Sequence, residues 1–203
     1  MIHLRVNALP TRARLARGRP NLSSLCRFGC EHAETIAHLG LCPSVSSNVS
    51  KRHDDVVDRL ARYLHQAGST VAKEVSFLQG SGGSRVGSLR PDLLVTRGTT
   101  ATILDVQIVG PSRNLEQAAA LKKQKYDCAL IKRQLALRGL TVDSVTGIII
   151  NTSGVWLKSS VTSLLSLGLS KSKIKNLTCQ VLQGTLRVWR GYQGLKGTTR
   201  GLS

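Results

Sequence analysis

Asp92, in Arg90-Pro91-Asp92, and Asp105, in Ile103-Leu104-Asp105-Val106-Gln107, are two carboxylates at or inside apolar runs of the chain. Leu93-Leu94-Val95 and the run from Ile103 to Val109 read as short buried strands joined by the turn Arg97-Gly98-Thr99-Thr100. Under period-two alternation Ile103, Asp105 and Gln107 share one face, and Leu104, Val106 and Ile108 fill the other. Burying an unpaired carboxylate there costs on the order of several kcal/mol, so Asp105 needs a cation beside it, either a divalent metal or an Arg. A hairpin of this length brings both acids to one end of a sheet. Together they can share Mg2+, an ion that prefers oxygen ligands, activates water and stabilises charge on a scissile phosphate. Glu74, in Lys73-Glu74, offers a third acid on the neighbouring strand. Lys122, Lys125 and Tyr126 follow at spacings of three and four, which puts them on one side of a helix. There Lys122 can position the attacking water or stabilise the pentavalent phosphate, with Lys125 and Tyr126 on the same phosphodiester.

A second group has a different chemistry. Cys26, Cys30, His38 and Cys42 form Cys-x3-Cys-x7-His-x3-Cys, four soft or borderline ligands close enough in sequence to wrap one tetrahedral zinc, with Gly29 at the tight turn. So short a segment has no core of its own, and the metal would hold it folded. His32 is the rival nitrogen ligand, but it follows Cys30 too closely to complete the loop. Cys128 and Cys179 are expected elsewhere.

Several elements must position these groups. Residues 1–22 carry Arg12, Arg14, Arg17 and Arg19 among Pro10, Gly18 and Pro20, a basic arm unsuited to a long helix. The zinc knuckle covers 23–45, and Ser44 to Ser50 reads as a small polar linker. Val56, Val57, Leu60 and Leu64 have helical spacing, with Asp54 or Asp55 as cap and Gly68 at the end. A strand from Val71 to Leu78 comes next, then a flexible loop Gly80–Ser84 and the two acid-bearing strands. Asn114 to Arg138 has helical composition and stops at Gly139. Another strand, Val145 to Asn151, precedes a helix around Val155 to Leu167, a basic segment Lys171–Lys175 and a Gly-punctuated end from Gly191. The predicted order is helix, three strands, helix, strand, helix.

Composition narrows the partners. The 203 residues carry 29 Lys and Arg against 11 Asp and Glu, a net charge of +18 that makes nucleic acid the leading partner. All the acids lie between Glu31 and Asp143, so both flanks are purely basic. Arg12, Arg14, Arg17, Arg19, Arg52, His53 and Arg90 are the candidate contacts to a nucleic-acid backbone. With aromatics at only 3%, a single-strand binder built on stacked rings is disfavoured. No stretch approaches the roughly 20 apolar residues needed to span a bilayer, and no signal-peptide pattern opens the chain, so an intracellular protein without a membrane partner is expected. Five cysteines, an odd number, fit thiols or metal ligands better than a disulfide framework.

Taken in order, Arg17-Gly18-Arg19-Pro20, the Cys/Cys/His/Cys cluster enclosing Glu34-Thr35-Ile36-Ala37-His38, Arg52-His53-Asp54, Arg90-Pro91-Asp92, Asp105 and Lys122-x-x-Lys125-Tyr126 resemble one family. It is the carboxy-terminal region of site-specific non-LTR retrotransposons that carry a restriction-like endonuclease, the ribosomal-DNA-inserting type and its relatives. The resemblance covers about residues 12–150. It implies an α/β fold with a mixed sheet, a PD-(D/E)xK core of order αβββαβ over 50–180 and a zinc knuckle on its N-terminal side; the residues themselves add a basic, Gly-containing tail over 181–203. It implies Asp92 and Asp105 as Mg2+ ligands, with Glu74 upstream. Gln107 stands where the common pattern has a Lys, and in the retrotransposon branch the lysine comes from the following helix, which makes Lys122 the best match and Lys125 the second. The implied activity is nicking of double-stranded target DNA in the nucleus, with element RNA and a reverse-transcriptase domain of the same polyprotein as further partners. Two other readings remain open: a catalytically inert nucleic-acid-binding module derived from such an element, and a Holliday-junction-resolving enzyme, which leaves the zinc cluster unexplained.

Overall fold

In the computed structural model, which describes residues 8–78 and 87–194, the chain begins with two one-turn helices, α1 (Arg12–Leu15) and α2 (Ile36–Leu39). A 3-10 turn (Pro43–Val45) then runs directly into α3 (Ser46–Gln66). Next come β1 (Thr70–Lys73), β2 (Phe77–Leu78), β3 (Ser88–Leu89), β4 (Leu93–Arg97) and β5 (Thr100–Val109). The helices α4 (Leu115–Tyr126) and α5 (Ala129–Ala136) lead to β6 (Thr141–Asn151), α6 (Lys158–Ser166) and α7 (Lys171–Gly194). The loop expected at Gly80–Ser84 and the final residues of the expected tail lie outside the described residues. No helix among the described residues is long and apolar enough to cross a membrane.

The four-stranded sheet has the order β1-β4-β5-β6, antiparallel at its first two pairings and parallel between β5 and β6. It is the mixed α/β architecture expected, with the Cys/His cluster towards the N-terminal side. Side-chain alternation along β5 decides what each face meets. Leu104 and Val106 join Leu93, Val95, Ile148 and Ile150 beneath α3, α6 and α7, whose Leu60, Leu164 and Leu177 are fully buried. Ile103 instead joins Leu94 and Ala101 beneath Tyr126, Ile131 and Leu135 of α4 and α5. The outer edge of β6 is covered: buried Ser160 Oγ accepts the Ile149 N–H at 2.9 Å and donates to Gly147 O at 2.9 Å.

Four expectations need correction. The segment expected as a polar linker, Ser44 to Ser50, is the end of the 3-10 turn and the first turn of α3, because Val45, Val49 and Arg52 extend the inward face back from Val56, and an Arg at one of these positions hides the pattern. The strand expected over Val71–Leu78 breaks at Glu74, whose φ of 52° ends β1 and directs its N–H to Asp92 O at 2.9 Å. The helix expected over Asn114–Arg138 breaks at Asp127 and Cys128, both non-helical. Had it continued, Tyr126 and Leu135, nine residues apart, would point about 180° away from each other, whereas the break lets both face the sheet.

The fourth correction concerns the C-terminal segment, where α7 runs unbroken through the expected basic segment and well into the expected tail. Its glycines act as notches for close packing. A Cβ on Gly184 would lie 2.5 Å from Arg52 Cγ, and one on Gly191 would lie 2.5 Å from Asn48 Nδ2. Both glycines therefore let α3 approach.

Candidate active site and metal centre

The register Leu93↔Leu104, carried one residue further, puts Asp92 opposite Asp105 just ahead of the start of β4, where β5 continues alone. The ladder bonds that β4 no longer supplies are replaced by side chains. Asp92 Oδ2 accepts the Val106 N–H at 2.6 Å, and His53 Nε2 lies 3.1 Å from Val106 O. His53 Nε2 also lies 3.2 Å from Asp92 Oδ2, and its Nδ1 lies 3.3 Å from Asp54 Oδ1. The hydrogen bond to Asp92, outweighing burial and reinforced by the Asp92 charge, raises the imidazole to about 9. His53 is thus a cation at neutral pH. It sits in the body of α3, which starts at Ser46 and not at the cap expected at Asp54 or Asp55.

Asp105 is 3% exposed, and Lys122 Nζ approaches its Oδ2 at 2.5 Å. The approach is an ion pair without hydrogen-bond alignment: Oδ2 is buried and has no hydrogen-bond donor among the described residues. An under-satisfied carboxylate oxygen beside a second acid is an arrangement of hard donors that suits Mg2+. Tyr126 faces the same acid. Burial raises its phenol, the Asp105 and Asp92 charges raise it further, and its hydroxyl donates to Arg90 O at 3.1 Å.

The remaining predicted residues are divided. Glu74 is held near Asp92 by its backbone, but its exposed carboxylate pairs with Arg90, so neither side chain is committed to the acids. Lys125 is exposed, with its ammonium 4.8 Å from the Tyr126 ring centroid. Arg12, Arg14, Arg17 and Arg19 are exposed on and after α1. Arg52, expected among the backbone contacts, is buried at 4% exposure, with Nη1 donating to Thr185 Oγ1 at 3.1 Å.

Gly147 is a site residue that sequence reasoning missed. It is the partner of Asp105 in the β5–β6 register, and a Cβ there would lie 3.1 Å from Ala119 Cα and 3.2 Å from Lys122 Cβ. The bare backbone lets α4 settle low enough to bring Lys122 onto Asp105. A glycine inside an apolar strand was the available signal. We expect Gly147→Val to push α4 outward and cost about 1–3 kcal/mol through overpacking, checked by urea denaturation. An unchanged midpoint would show that α4 does not depend on the notch.

The knuckle is folded by a few polar contacts around its ligands. Thr35 Oγ1 caps α2 by accepting the His38 N–H at 3.1 Å, and Leu25 and Ala33 form an antiparallel bridge. The Cys26, Cys30, His38 and Cys42 ligand atoms all lie within 4.8 Å of one another, with Sγ···Sγ distances of 3.5, 3.5 and 3.9 Å. Tetrahedral zinc with Zn–S near 2.3 Å needs sulfurs about 3.8 Å apart. His38 Nε2 is buried without a hydrogen-bond partner, the state of an imidazole aimed at a metal. The cluster can therefore hold a metal such as zinc. His32, the rival, is exposed and stacks on His38. Burial raises the Cys26 thiol, but its contacts with the Tyr192 hydroxyl and the Phe28 N–H prevail and bring it down to about 6.

Two supports of the knuckle were not foreseen. Glu34, fully buried, takes Arg27 through two contacts, Nε to Oε2 at 3.0 Å and Nη2 to Oε1 at 2.7 Å, and its Oε1 accepts the Arg12 N–H at 3.0 Å. Tyr192, from the far end of α7, donates to Glu34 Oε2 at 3.0 Å and lies 3.0 Å from Cys26 Sγ. Burial raises the Glu34 carboxyl, but Arg27, the Arg12 N–H and Tyr192 together outweigh it and leave the group below its ordinary 4.5. A depressed folded value adds stability above 4.5 and loses it as pH falls through the folded value. Glu34→Gln should accordingly lower the melting temperature at neutral pH, with the gap to wild type narrowing as pH drops below 4.5. Parallel melting curves across that range would refute the assignment.

No protein-family model matches the chain. Relatives do. The chain is 32% identical over 203 residues to the Retrovirus-related Pol polyprotein from type-2 retrotransposable element R2DM of Drosophila melanogaster, covering 98% of this chain and 19% of that protein. It is 34% identical over 187 residues to the Retrovirus-related Pol polyprotein from type-1 retrotransposable element R2 of Nasonia vitripennis, covering 90% and 18%. The corresponding polyprotein of Bradysia coprophila is 30% identical over 192 residues, covering 92% and 21%. The chain thus spans about a fifth of the length of these curated relatives.

Proposed function

Since this chain is homologous along nearly its whole length to one region of R2 retrotransposon Pol polyproteins, we propose that it is the retroelement's Mg2+-dependent DNA endonuclease region. The observation that carries the reading is the convergence of Asp92, Asp105 and Lys122 at the point where β4 begins. The sheet elements there run helix, three strands, helical pair and strand, which is the order of a restriction-like core.

In this reading Asp92 and Asp105 hold Mg2+, which when bound supplies an activated water and charge neutralisation at the scissile phosphate. Lys122 presents a cation to the charge that grows on the phosphate oxygens. His53 fixes the rotamer of Asp92 through a charge-assisted contact and ties it to the β5 backbone. The substrate is double-stranded chromosomal DNA, nicked in the nucleus to prime reverse transcription by a domain of the same polyprotein, with element RNA as a further partner. The exposed arginines around α1 suit the DNA backbone.

A second reading is favoured by one observation. Each acid already has a protein cation, Asp92 with His53 and Asp105 with Lys122, as in an inert scaffold that serves only to bind nucleic acid. Nicking of supercoiled plasmid decides between them. Open circles formed with Mg2+ and absent with a chelator support the enzyme, and their absence under both conditions, with DNA binding retained, supports the module.

A further inference from the structure

We propose that the cleft between the knuckle and the core holds a phosphate group of the bound nucleic-acid strand, gripped by Arg52 with Thr152, Ser112 and Arg113 as the other polar walls. The cleft has a volume of about 370 Å3, with α2 on one side and the exit of β5 on the other. Its lining includes two arginines and no acid. This inference rests on the nucleic-acid reading above and names a site that the catalytic geometry does not use.

Arg52 carries the proposal. Its side chain is buried without an ion-pair partner among the described residues, its Nε has no hydrogen-bond acceptor, and one hydroxyl, Thr185 Oγ1, takes Nη1. An unpaired buried charge is among the most costly arrangements a fold can hold. Burial alone draws the guanidinium down to about 10, so it stays charged at neutral pH. Thr152 Oγ1, on the same cleft, is likewise buried at 4% exposure without a partner. Two residues that line one cavity each keep a buried polar atom without a partner, and with a second guanidinium at Arg113 they call for an anion rich in acceptor oxygens. Phosphate has the matching chemistry.

Position indicates where that phosphate comes from. A neighbouring cleft of about 310 Å3 shares Arg52, Gln107 and Ile108 with the first and reaches His53 and Lys122. Arg52 thus stands on the wall common to both. A strand with one phosphate at Lys122 runs past Arg52 with another. The competing explanation is a strut, in which Arg52 merely joins α3 to α7 across Gly184.

Thermal denaturation of the full chain, with its metal retained, tests this with inorganic phosphate against chloride at equal ionic strength. Phosphate should raise the melting temperature of wild type and of Lys122→Ala, and should leave Arg52→Met unmoved. Because Met keeps the apolar stem over Gly184 and removes the charge, Arg52→Met should be at least as stable as wild type in chloride. Lower stability in both buffers with the phosphate shift intact would establish the strut and overturn the site. Should Arg52→Met not fold, Thr152→Val must weaken the shift, and an undiminished shift overturns the site equally. Duplex DNA binding separates a strand from a free anion. For Arg52→Met the slope of log affinity against log salt should fall by about one phosphate contact, and an unchanged slope would overturn the strand assignment. Failure of wild type to nick DNA would remove the endonuclease reading while leaving the phosphate shift in place.

Discussion

Asp105→Ala is expected to bring Mg2+-dependent nicking down to the level of buffer, with DNA affinity close to wild type. The two outcomes separate because Asp105 lies at the floor of the site, nearly closed to solvent, where it can reach a small ion but not a phosphate backbone. Stability should change little. The carboxylate oxygen facing Lys122 has no aligned hydrogen bond to lose, and Lys122 is exposed enough for water to take over its ammonium. Lys122→Ala should slow nicking about a hundredfold or more, the usual consequence of removing one group that stabilises transition-state charge. It should also leave Asp105 with an uncompensated charge. Rates on supercoiled plasmid, with filter binding run in parallel, check both variants. Full nicking by Asp105→Ala would end the proposed mechanism, and a Lys122→Ala protein as fast as wild type would reduce Lys122 to a structural counter-ion.

The residues proposed to carry this chemistry stand out in the sequence because each breaks a local rule. An acid in an apolar strand, and three thiols with an imidazole in a short segment, have few bland explanations. Faces of the sheet were legible too, since alternation along β5 separates Ile103 and Asp105 from Leu104 and Val106, and the packing follows that division. What stayed hidden depended on contacts across long stretches of chain. Arg52 reads as a surface charge, yet α7 buries it, and Gly184 and Gly191 read as loop punctuation until α3 is laid against them. Tyr192 is 158 residues from Glu34, and no local pattern links the two. The break after Tyr126 is likewise invisible to propensity, because it follows from where Ile131 and Leu135 must be buried. Gly147 was visible as a glycine in a strand, but its meaning required the helix above it.

Removal of metal from the knuckle should be felt at the far end of the chain. Cys30→Ser is expected to abolish retention of one zinc per chain, while Cys128→Ser and Cys179→Ser leave it unchanged, because neither of the latter thiols belongs to the cluster. The knuckle buries few side chains of its own, and its apolar contacts are made largely with α7, through Leu182, Val188, Trp189 and Tyr192. Phe28 meets the Tyr192 ring edge-on at 4.8 Å, and Arg27 lies 5.0 Å from the centroid of the same ring. Without zinc the three sulfurs lose the centre that fixes their spacing, and the C-terminal half of α7 loses the surface it packs on. Near-ultraviolet circular dichroism should report this as a loss of signal from Trp189 and Tyr192. Far-ultraviolet signal should persist, because the sheet and the first half of α7 belong to a different apolar cluster. The melting temperature should fall by about 10 °C or more, given roughly 2–4 °C per kcal/mol for a chain of this size and a structural zinc contributing several kcal/mol. Zinc content is read by metal analysis after dialysis. If Cys30→Ser retained zinc, or if chelation left the Trp189 signal intact, the knuckle would be neither a metal centre nor the support of α7.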